Sequence, residues 1–319
     1  MTAQPPAAAP ATLDGILDGA APLPHLGVIR AEGEDAASFL HGQLTNDFLL
    51  LREDQARLAG WLSAKGRLQA SFVGFKRGPN EILLVASRDL IAATVKRLSM
   101  YVLRAKAKLS DASDAFTLLG LAGSAVPGGA RAPWTLAADG QARIVHLYRA
   151  DGTPRALWIA PAGTPQPAGA GLAEDRWRWG EVRSGVAAST TAAVADAFVP
   201  QMLNYESVGG VNFKKGCYPG QEVVARSQFR GTLKRRTYLV HAAAPLAAGA
   251  EVFAADDPQQ PAGTVVEVAP APAELGGGWD ALVSLQVSAA QAGGLRTGGD
   301  AAATALELRP LPYALLEDI

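Results

Sequence analysis

The chain has 319 residues, of which 49% are hydrophobic and 18% are charged, and its formal net charge at pH 7 is -1. This composition predicts a folded protein of two or three domains with a substantial core, and it excludes a chain that is disordered throughout. The balanced charge excludes a global attraction to nucleic acid or to an anionic membrane, so any such contact requires a local patch.

The N-terminal residues 1–22 are predicted to form a disordered tail rich in alanine and proline. This stretch lacks the basic start and the continuous apolar core of a signal peptide. No apolar run elsewhere reaches the length of a membrane span, so we expect a cytoplasmic protein.

The pattern of residues 23–121 predicts an α+β arrangement in which antiparallel sheets are backed by helices. The tight turn 63–67 should join two paired strands. Strands are predicted at 27–30, 58–62, 68–75, 82–85 and 116–121, and helices at 33–44 and 88–103.

The second half of the chain is richer in loops. Residues 175–182 are compatible with either a short helix or a strand, and a helix is predicted from Gln221 to Gln228. Further strands are predicted at 142–147, 156–159, 237–240, 263–268, 281–287 and 305–309. We therefore expect one region over 23–231, with two subdomains divided near 112–125, and a small antiparallel β-barrel over 232–319.

The segment Asn212–Arg226 carries the clearest functional signal, because it surrounds the single cysteine of the chain with lysines, glycines and a Gln-Glu pair. Tyr218 to Gln221 should form a type II turn, since proline suits its second position and glycine its third. The helix that follows would carry Gln221 and Glu222 in its first turn, where a carboxylate suits the helix dipole.

Cys217 would lie just before this helix and close in sequence to Lys214 and Lys215. Positive charge and a helix N-terminus both favour the thiolate form, which indicates a functional thiol. The alternative is a small buried hydrophobic residue in a tight loop. A Cys-His nucleophile pair would also require one of the four scattered histidines to approach Cys217 in the fold.

One cysteine cannot form an internal disulfide, and this chain alone cannot hold a four-cysteine iron–sulfur cluster. The chain has no C-x-x-C zinc spacing, and no histidine pair has a spacing typical of a metal site. We therefore predict no permanent metal site and consider Cys217 a transient ligand at most.

Lys-Gly-Cys-Tyr-x-Gly-Gln-Glu, here Lys215–Glu222, resembles the signature of the YgfZ family, folate-binding proteins related to the glycine-cleavage T-protein, an aminomethyltransferase. The resemblance extends over Phe198–Asn204, Gly209–Phe213 and Val223–Arg226, and more weakly over Phe39–Asp47 and Leu62–Arg67. It implies an aminomethyltransferase-like folate-binding fold with a C-terminal β-barrel. It also implies bound tetrahydrofolate or a derivative, and an accessory role in assembly or repair of iron–sulfur proteins, including tRNA-modifying enzymes.

Folate binding requires a group that pairs with the pterin edge, an apolar wall, and cations for the glutamate tail. The pairing group could come from Glu181, Glu206 or Glu222, and the wall from Tyr205, Phe213 or Tyr218. The candidate cations are Lys65, Arg67, Arg226 and Arg230. As cofactor-binding candidates we take Lys65, Arg67, Glu181, Tyr205, Glu206 and Arg230. The functional thiol Cys217 is accompanied by the motif residues Lys215, Gly216, Tyr218, Gly220, Gln221, Glu222 and Arg226. For any single Glu or Arg in this set, a solvated surface position is the preferred interpretation.

Two departures from the aminomethyltransferases bear on activity. Those enzymes carry aspartates in the region corresponding to Gly66–Phe72, and one of them helps to transfer the one-carbon unit, whereas this stretch holds no carboxylate. We therefore predict that the protein is not an aminomethyltransferase. The Glu-Ala-Gly step that carries a pterin-recognising glutamate in relatives corresponds to Arg183-Ser184-Gly185, and Glu181 would share its face if the segment were extended.

Positive charge concentrates in one part of this balanced chain, at Lys214, Lys215, Arg226, Arg230, Lys234, Arg235 and Arg236. This cluster is compatible with a solvated face, with a receptor for a polyglutamated folate tail, or with a tRNA contact of steep salt dependence. The first functional hypothesis is the folate-binding accessory factor with iron–sulfur client or assembly proteins as partners. The alternative is a folate-dependent one-carbon transferase or demethylase of unknown substrate.

Overall fold

The computed structural model describes residues 15–230, 232–298 and 303–316. Its strands are β1 (Gly19–Pro22), β2 (Leu26–Glu32), β3 (Ala56–Leu62), β4 (Leu68–Gly78), β5 (Glu81–Ser87), β6 (Lys108–Asp111), β7 (Phe116–Ala122), β8 (Leu136–Asp139), β9 (Ala142–His146), β10 (Arg155–Pro161), β11 (Arg235–Ala242), β12 (Glu251–Ala254), β13 (Asp257–Pro270), β14 (Trp279–Gln286), β15 (Arg296–Thr297) and β16 (Leu306–Arg309). Its helices are α1 (Ala36–Gln43), α2 (Arg88–Ser99), α3 (Glu174–Arg183), α4 (Gln221–Phe229) and α5 (Val287–Ala292).

The N-terminal sheet has the strand order β3-β4-β5-β2-β6, with antiparallel neighbours throughout. Side chains alternate between its two faces, as the two-residue period of a strand requires. Ile29 packs on one face with Leu40 of α1 and Ile91 of α2. Val28 packs on the other face with strands of a second sheet. The predicted arrangement of antiparallel strands backed by helices is confirmed here.

The middle sheet has the order β1-β7-β10-β9-β8 and packs against the N-terminal sheet. Its edge strand corrects the prediction for residues 1–22. Residues 1–14 lie outside the described residues, but Gly19–Pro22 pair with β7 and do not form a disordered tail. Gly19 has a φ of 117°, and a Cβ there would collide with the backbone of Ala170. An alanine-rich segment can therefore form an edge strand where small residues are needed.

The C-terminal sheet has the order β15-β12-β13-β14-β11-β16. An antiparallel bridge between Arg296 and Ala305 joins the two edges, so the sheet curls as the predicted small barrel requires. A register shift between Val265 and Glu267 marks a bulge in β13. A bulge bends its strand and redirects the neighbouring side chain, and Glu267 faces the rest of the protein at this point.

The segment that the sequence left open between helix and strand, residues 175–182, lies within α3. Trp177 joins the core between the N-terminal and middle sheets, whereas Trp179 packs with barrel residues such as Leu239. The helix therefore connects the three sheets. Across residues 15–230, 232–298 and 303–316, no helix has both the length and the apolar composition needed to cross a lipid bilayer.

Candidate functional site

The turn before α4 has the predicted geometry. Gln221 donates its backbone N–H to the Tyr218 carbonyl at 3.3 Å, and Gly220 has φ 79° and ψ 3°, the values of the third position of a type II turn. The Gln221 side-chain oxygen also accepts a hydrogen bond from the Tyr218 N–H at 3.2 Å. Both the turn and the start of the helix at Gln221 are confirmed.

Cys217 is exposed at this turn. Lys215 lies beside it. Its Nζ is 4.5 Å from the centre of the Tyr218 ring and donates a hydrogen bond to the Gly216 carbonyl oxygen at 3.0 Å. Burial lowers the pKa of Lys215 to about 8, although the charges of Asp47 and Cys217 act in the opposite direction. The thiol is therefore open to solvent and close to a lysine that loses its proton readily.

A histidine and an aspartate from the N-terminal region approach the same turn. His41 Nδ1 lies 3.1 Å from Asp47 Oδ1, which also accepts the Leu50 N–H at 2.9 Å. Burial raises the pKa of Asp47, but the hydrogen bonds from Leu50 and His41 outweigh it, and the net direction is downward. A Cβ built on Gly216 would lie 3.4 Å from His41 Nε2, so the ring edge faces the backbone next to Cys217. The sequence did not indicate which histidine would do so.

Buried hydrogen bonds connect the segments that share the family resemblance. Thr45 Oγ1 donates to the Gly210 carbonyl at 2.7 Å and accepts the Gly60 N–H at 2.8 Å. Asn46 Nδ2 donates to the carbonyls of Leu58 at 2.8 Å and Gly209 at 2.7 Å. These bonds fix the Thr45–Asp47 segment against the chain that leads into the cysteine turn.

A narrow inner cavity of about 30 Å³ lies where the three sheets meet, and together with the open space at its mouth it comprises about 420 Å³. Three buried or partly buried ionisable groups from different elements face it: Arg155 of β10, Glu181 of α3 and Glu267 of β13. The remaining walls are formed by Leu26, Val73, Trp134, Leu147, Tyr148, Leu157, Ser184, Val186, Ala188 and Ser189. The cavity is thus mainly apolar with a few converging polar groups, as ligand sites commonly are.

Arg155 is only 3% exposed, and its guanidinium carbon lies 4.3 Å from the centre of the Trp177 ring. Its Nε has no hydrogen-bond partner in the described part of the chain. Burial lowers the pKa of Arg155 to about 10, against the opposing charges of Glu181 and Glu267. A buried donor without a partner is uncommon in native proteins, and here it borders a cavity large enough for a water molecule.

The two carboxyl groups of the cavity differ in protonation. Burial raises the pKa of Glu181, but His25 and Arg155 outweigh it, and the net direction is downward. His25 Nε2 lies 3.4 Å from Glu181 Oε2. Burial, followed by the charge of Glu181, raises the pKa of Glu267 to about 8. At neutral pH the cavity therefore presents one carboxylate, an acceptor, and one carboxylic acid, which can also donate.

The structure brings only one of the six predicted cofactor-binding residues, Glu181, to the inner cavity. That residue lies on a helix, so the premise that its segment is extended is corrected. Tyr205 is fully buried, and its hydroxyl donates to the Ala187 carbonyl at 2.7 Å. Buried Glu206 pairs with Arg236 at 2.7 Å.

The three predicted cations also lie elsewhere. Arg67 donates to the Ala197 carbonyl, while Lys65 and Arg230 are exposed. The ionisable side chains that do line the inner cavity together with Glu181 are those of Arg155 and Glu267. Sequence reasoning missed them because neither lies in a recognisable motif.

The motif residues have distinct positions around Cys217. Gly216, Glu222 and Arg226 are exposed, and Tyr218 is 8% exposed. Burial raises the pKa of Tyr218 to about 12. The described residues contain no group of three or more His, Cys, Asp or Glu side chains arranged to hold a metal ion.

The Arg183-Ser184-Gly185 step ends α3. Arg183 pairs with Asp151 at 2.6 Å and lies 3.4 Å from Asp280 of β14. Its guanidinium therefore connects the helix to the barrel, whereas Glu181, one half-turn earlier, faces the cavity.

The architecture can be compared with that of known proteins. A crystal structure of the glycine cleavage system aminomethyltransferase T from Bartonella henselae superposes with a TM-score of 0.65 at 17% identity, covering 93% of this chain and 86% of that one. The protein therefore has the aminomethyltransferase-like fold of antiparallel sheets, helices and a C-terminal barrel, as the sequence predicted.

No protein-family model matches the chain. Its sequence is 31% identical over 303 residues to the tRNA-modifying protein YgfZ of Edwardsiella ictaluri, covering 90% of this chain and 89% of the relative. It is 29% identical over 342 residues to the protein of the same name from Yersinia pseudotuberculosis, covering 99% and 97% of the two chains. The chain belongs to the YgfZ family, and the predicted membership is confirmed.

Proposed function

We propose that this protein is a folate-binding accessory factor that binds tetrahydrofolate or a derivative at the mouth of the inner cavity and uses Cys217 in assembly or repair of iron–sulfur proteins. Its clients would include enzymes that modify tRNA. The observation that carries the ligand proposal is the Nε of buried Arg155 beside Glu181 and Glu267, for which the described part of the chain supplies no hydrogen-bond partner.

The residues of the inner cavity fit a pterin in chemical type. A pterin edge combines N–H donors with a carbonyl acceptor, which suits the carboxylate of Glu181 as acceptor and the acid of Glu267 or Arg155 as donor. Trp134 and Tyr148, whose ring centres lie 5.9 Å apart, offer aromatic surface at the cavity wall. A bound tetrahydrofolate supplies a carrier for one-carbon units.

The position of Cys217 supports a role in contact with another protein. The thiol is exposed on a fixed turn, and the chain has only this cysteine, so it can contribute one ligand or one redox-active sulfur at a time. Relatives named as tRNA-modifying proteins support a connection to tRNA modification.

The ligand proposal is tested by titrating tetrahydrofolate into the pure protein while the rate of Cys217 alkylation is measured. We expect saturable binding that Glu181→Gln weakens by about tenfold, the loss of one charged hydrogen bond. Arg104→Gln, a change at an exposed position just after α2, should leave binding unchanged. Absence of binding to the folded protein would refute the ligand proposal.

The accessory role is tested separately in cells with Cys217→Ser and, as a matched control, Ser227→Ala on α4. We expect the activity of iron–sulfur enzymes under oxidative stress to fall only in the cysteine variant. Normal activity in that variant would contradict the role of the thiol. Turnover of a tetrahydrofolate adduct by the purified protein would instead favour the one-carbon transferase.

A further inference from the structure

A separate pocket lies where the C-terminal barrel meets the chain that leads into β4. It has a volume of about 240 Å³, or about 510 Å³ with the open space at its mouth. Its walls include Arg67 before β4, Phe198, and three residues of the barrel strands, Arg235, Thr264 and Ser284. We call it the barrel pocket. None of its lining residues lines the inner cavity, so the proposed function does not use this space.

The barrel side of this pocket carries hydroxyl groups. Ser284 of β14 lies directly opposite Thr264 of β13 and Thr237 of β11 in the strand register. Residues directly opposite each other in antiparallel strands project from the same face of the sheet. Two positions further along that face, Leu239 and Leu282 pack in the hydrophobic core. The face therefore changes from apolar to polar where the pocket begins.

The hydroxyl group of Ser284 is buried at the wall of the barrel pocket. The residue is 1% exposed, and its Oγ has no hydrogen-bond partner in the described part of the chain. By contrast, the Thr237 hydroxyl donates to the Met202 carbonyl at 2.7 Å. A buried hydroxyl without a partner carries a desolvation cost, which a ligand that hydrogen bonds to it would remove.

Two guanidinium groups are held at the same pocket by neutral acceptors. Arg67 donates from Nη1 to the Ala197 carbonyl, and Arg235 donates from Nη1 to the Ala262 carbonyl at 3.1 Å. No carboxylate of the described residues pairs with either cation, whereas the next residue of β11, Arg236, pairs with a buried glutamate. Burial lowers the pKa of Arg235, which reflects the cost of desolvating a cation that has no anionic partner.

We propose that the barrel pocket binds a phosphate group, either as free phosphate or as part of a small phosphorylated molecule. The planar fork of a guanidinium matches two oxygens of a phosphate, and the two arginines keep donors that their carbonyl contacts do not use. The hydroxyls of Ser284 and Thr264 supply further donors from the barrel side. A tetrahedral phosphate accepts hydrogen bonds from several directions, which suits donors on different strands better than a planar carboxylate does.

An RNA backbone is the competing source of phosphate groups. It is less well matched, because the innermost donor, Ser284, is buried and the pocket offers only two cations. Nucleic acid requires a longer basic track that follows successive phosphates. The exposed cations Lys214, Arg226 and Arg230 do not line this pocket. The recess therefore favours a small molecule.

The test is a phosphorus NMR titration of the full-length protein, in a buffer free of phosphate and sulfate, with inorganic phosphate and separately with adenosine monophosphate. We expect saturable binding that Arg235→Gln weakens by about tenfold, the loss of one charged hydrogen bond. Ser284→Ala should weaken binding by about threefold. It should leave the stability of the unliganded protein unchanged or slightly higher, because it removes a buried hydroxyl without a partner. Arg104→Gln, at an exposed position, is the control and should bind normally.

Tighter binding of adenosine monophosphate would identify a phosphorylated molecule as the ligand, and tighter binding of inorganic phosphate would identify the free ion; both results support the inference. Binding of neither probe, or binding that neither variant weakens, would overturn it. Displacement of the probes by tetrahydrofolate would assign the pocket to folate and would also overturn it. If Arg235→Gln weakened the retention of a tRNA and left the binding of both probes unchanged, the pocket would belong to RNA and the inference would be wrong.

Discussion

Asp47 determines how His41 meets the cysteine turn. The carboxylate holds the ring through Nδ1, which leaves Nε2 directed towards Gly216. A carboxylate that orients an imidazole is a recurring device for placing a base beside a nucleophile. Lys215 of the same turn also interacts electrostatically with both Asp47 and Cys217. The reactivity of Cys217 should therefore depend on residues distant from it in sequence.

We predict that His41→Gln slows alkylation of Cys217 by iodoacetamide at pH 7 by about threefold to tenfold, because the imidazole faces the turn that carries the thiol and glutamine offers no base in its place. Asp47→Asn should have a smaller effect in the same direction. His241→Gln, at a histidine on β11 in the barrel, serves as the control and should leave the rate unchanged. Equal rates in all three variants would exclude a role for His41 in activating the thiol.

Glu267 makes stability depend on pH in a defined direction. Its pKa is about 8 in the folded protein and has a usual value of 4.5, so the folded state retains a proton that the unfolded chain releases between these values. Stability from this group therefore falls as pH rises from about 4.5 to 8 and is constant above that range.

Glu267→Gln should remove this dependence and increase the free energy of unfolding by roughly 2 kcal/mol at pH 8.5, with little change at pH 4.5. Urea titrations of both proteins across this range provide the measurement. Glu307→Gln, in an exposed ion pair with Arg309, is the control. Parallel pH profiles for the Glu267 variant and the unaltered protein would contradict the prediction.

At the scale of elements, the Ser63–Arg67 turn and the start of α4 meet through two glycines. Gly66 has φ 70° and Gly220 has φ 79°, so both adopt the left-handed region. A Cβ on Gly66 would lie 2.7 Å from Val223 Cβ, and one on Gly220 would lie 2.5 Å from the Ser63 carbonyl oxygen. The backbones of the two turns therefore approach too closely for any side chain.

Gly66→Ala and Gly220→Ala should each lower the free energy of unfolding by about 2–4 kcal/mol, since strain and collision act together. Gly42→Ala, in α1 with open space around its Cβ position, should be neutral or slightly stabilising. Chemical denaturation of the three variants distinguishes these effects. If Gly42→Ala lowered the free energy of unfolding as much as Gly220→Ala, the close approach of the two turns would not explain the effect.

At the scale of the whole molecule, Asp280 connects the barrel to α3. This buried carboxylate accepts the Trp179 indole N–H at 2.7 Å and lies 2.8 Å from His241 Nδ1 and 3.4 Å from Arg183. The barrel also supplies Glu267 to the inner cavity. The position of the barrel against the helix therefore decides whether the cavity is complete.

Asp280→Asn should lower the free energy of unfolding by about 2–3 kcal/mol, because Arg183 and His241 lose a buried anionic partner. The same variant should weaken tetrahydrofolate binding, although Asp280 does not line the cavity. Asp54→Asn, in an exposed pair with Arg52, should change neither quantity. Unaltered stability of the Asp280 variant would show that the barrel is held by apolar packing alone.

Local sequence determined a large part of this protein. The type II turn at Pro219 and Gly220, the start of α4 and the paired strands around the Ser63–Arg67 turn depend on neighbours within a few residues, so their patterns predict them. The short strands β6, β8, β12 and β15 were missed because a few residues carry no reliable periodicity. Strand β1 was missed as well, because its extended conformation depends on pairing with β7, which is distant in sequence.

The tertiary structure alone decided which side chains share a site. Arg155, Glu181 and Glu267 come from three distant segments, and one of them is directed by a bulge that has no sequence signature here. Conversely, Tyr205 and Glu206 had suitable chemistry but serve the core and an ion pair. Residue type limits what a side chain can do, but burial and long-range packing decide what it faces. For this reason the cysteine turn was predictable from the sequence, while the inner cavity was not.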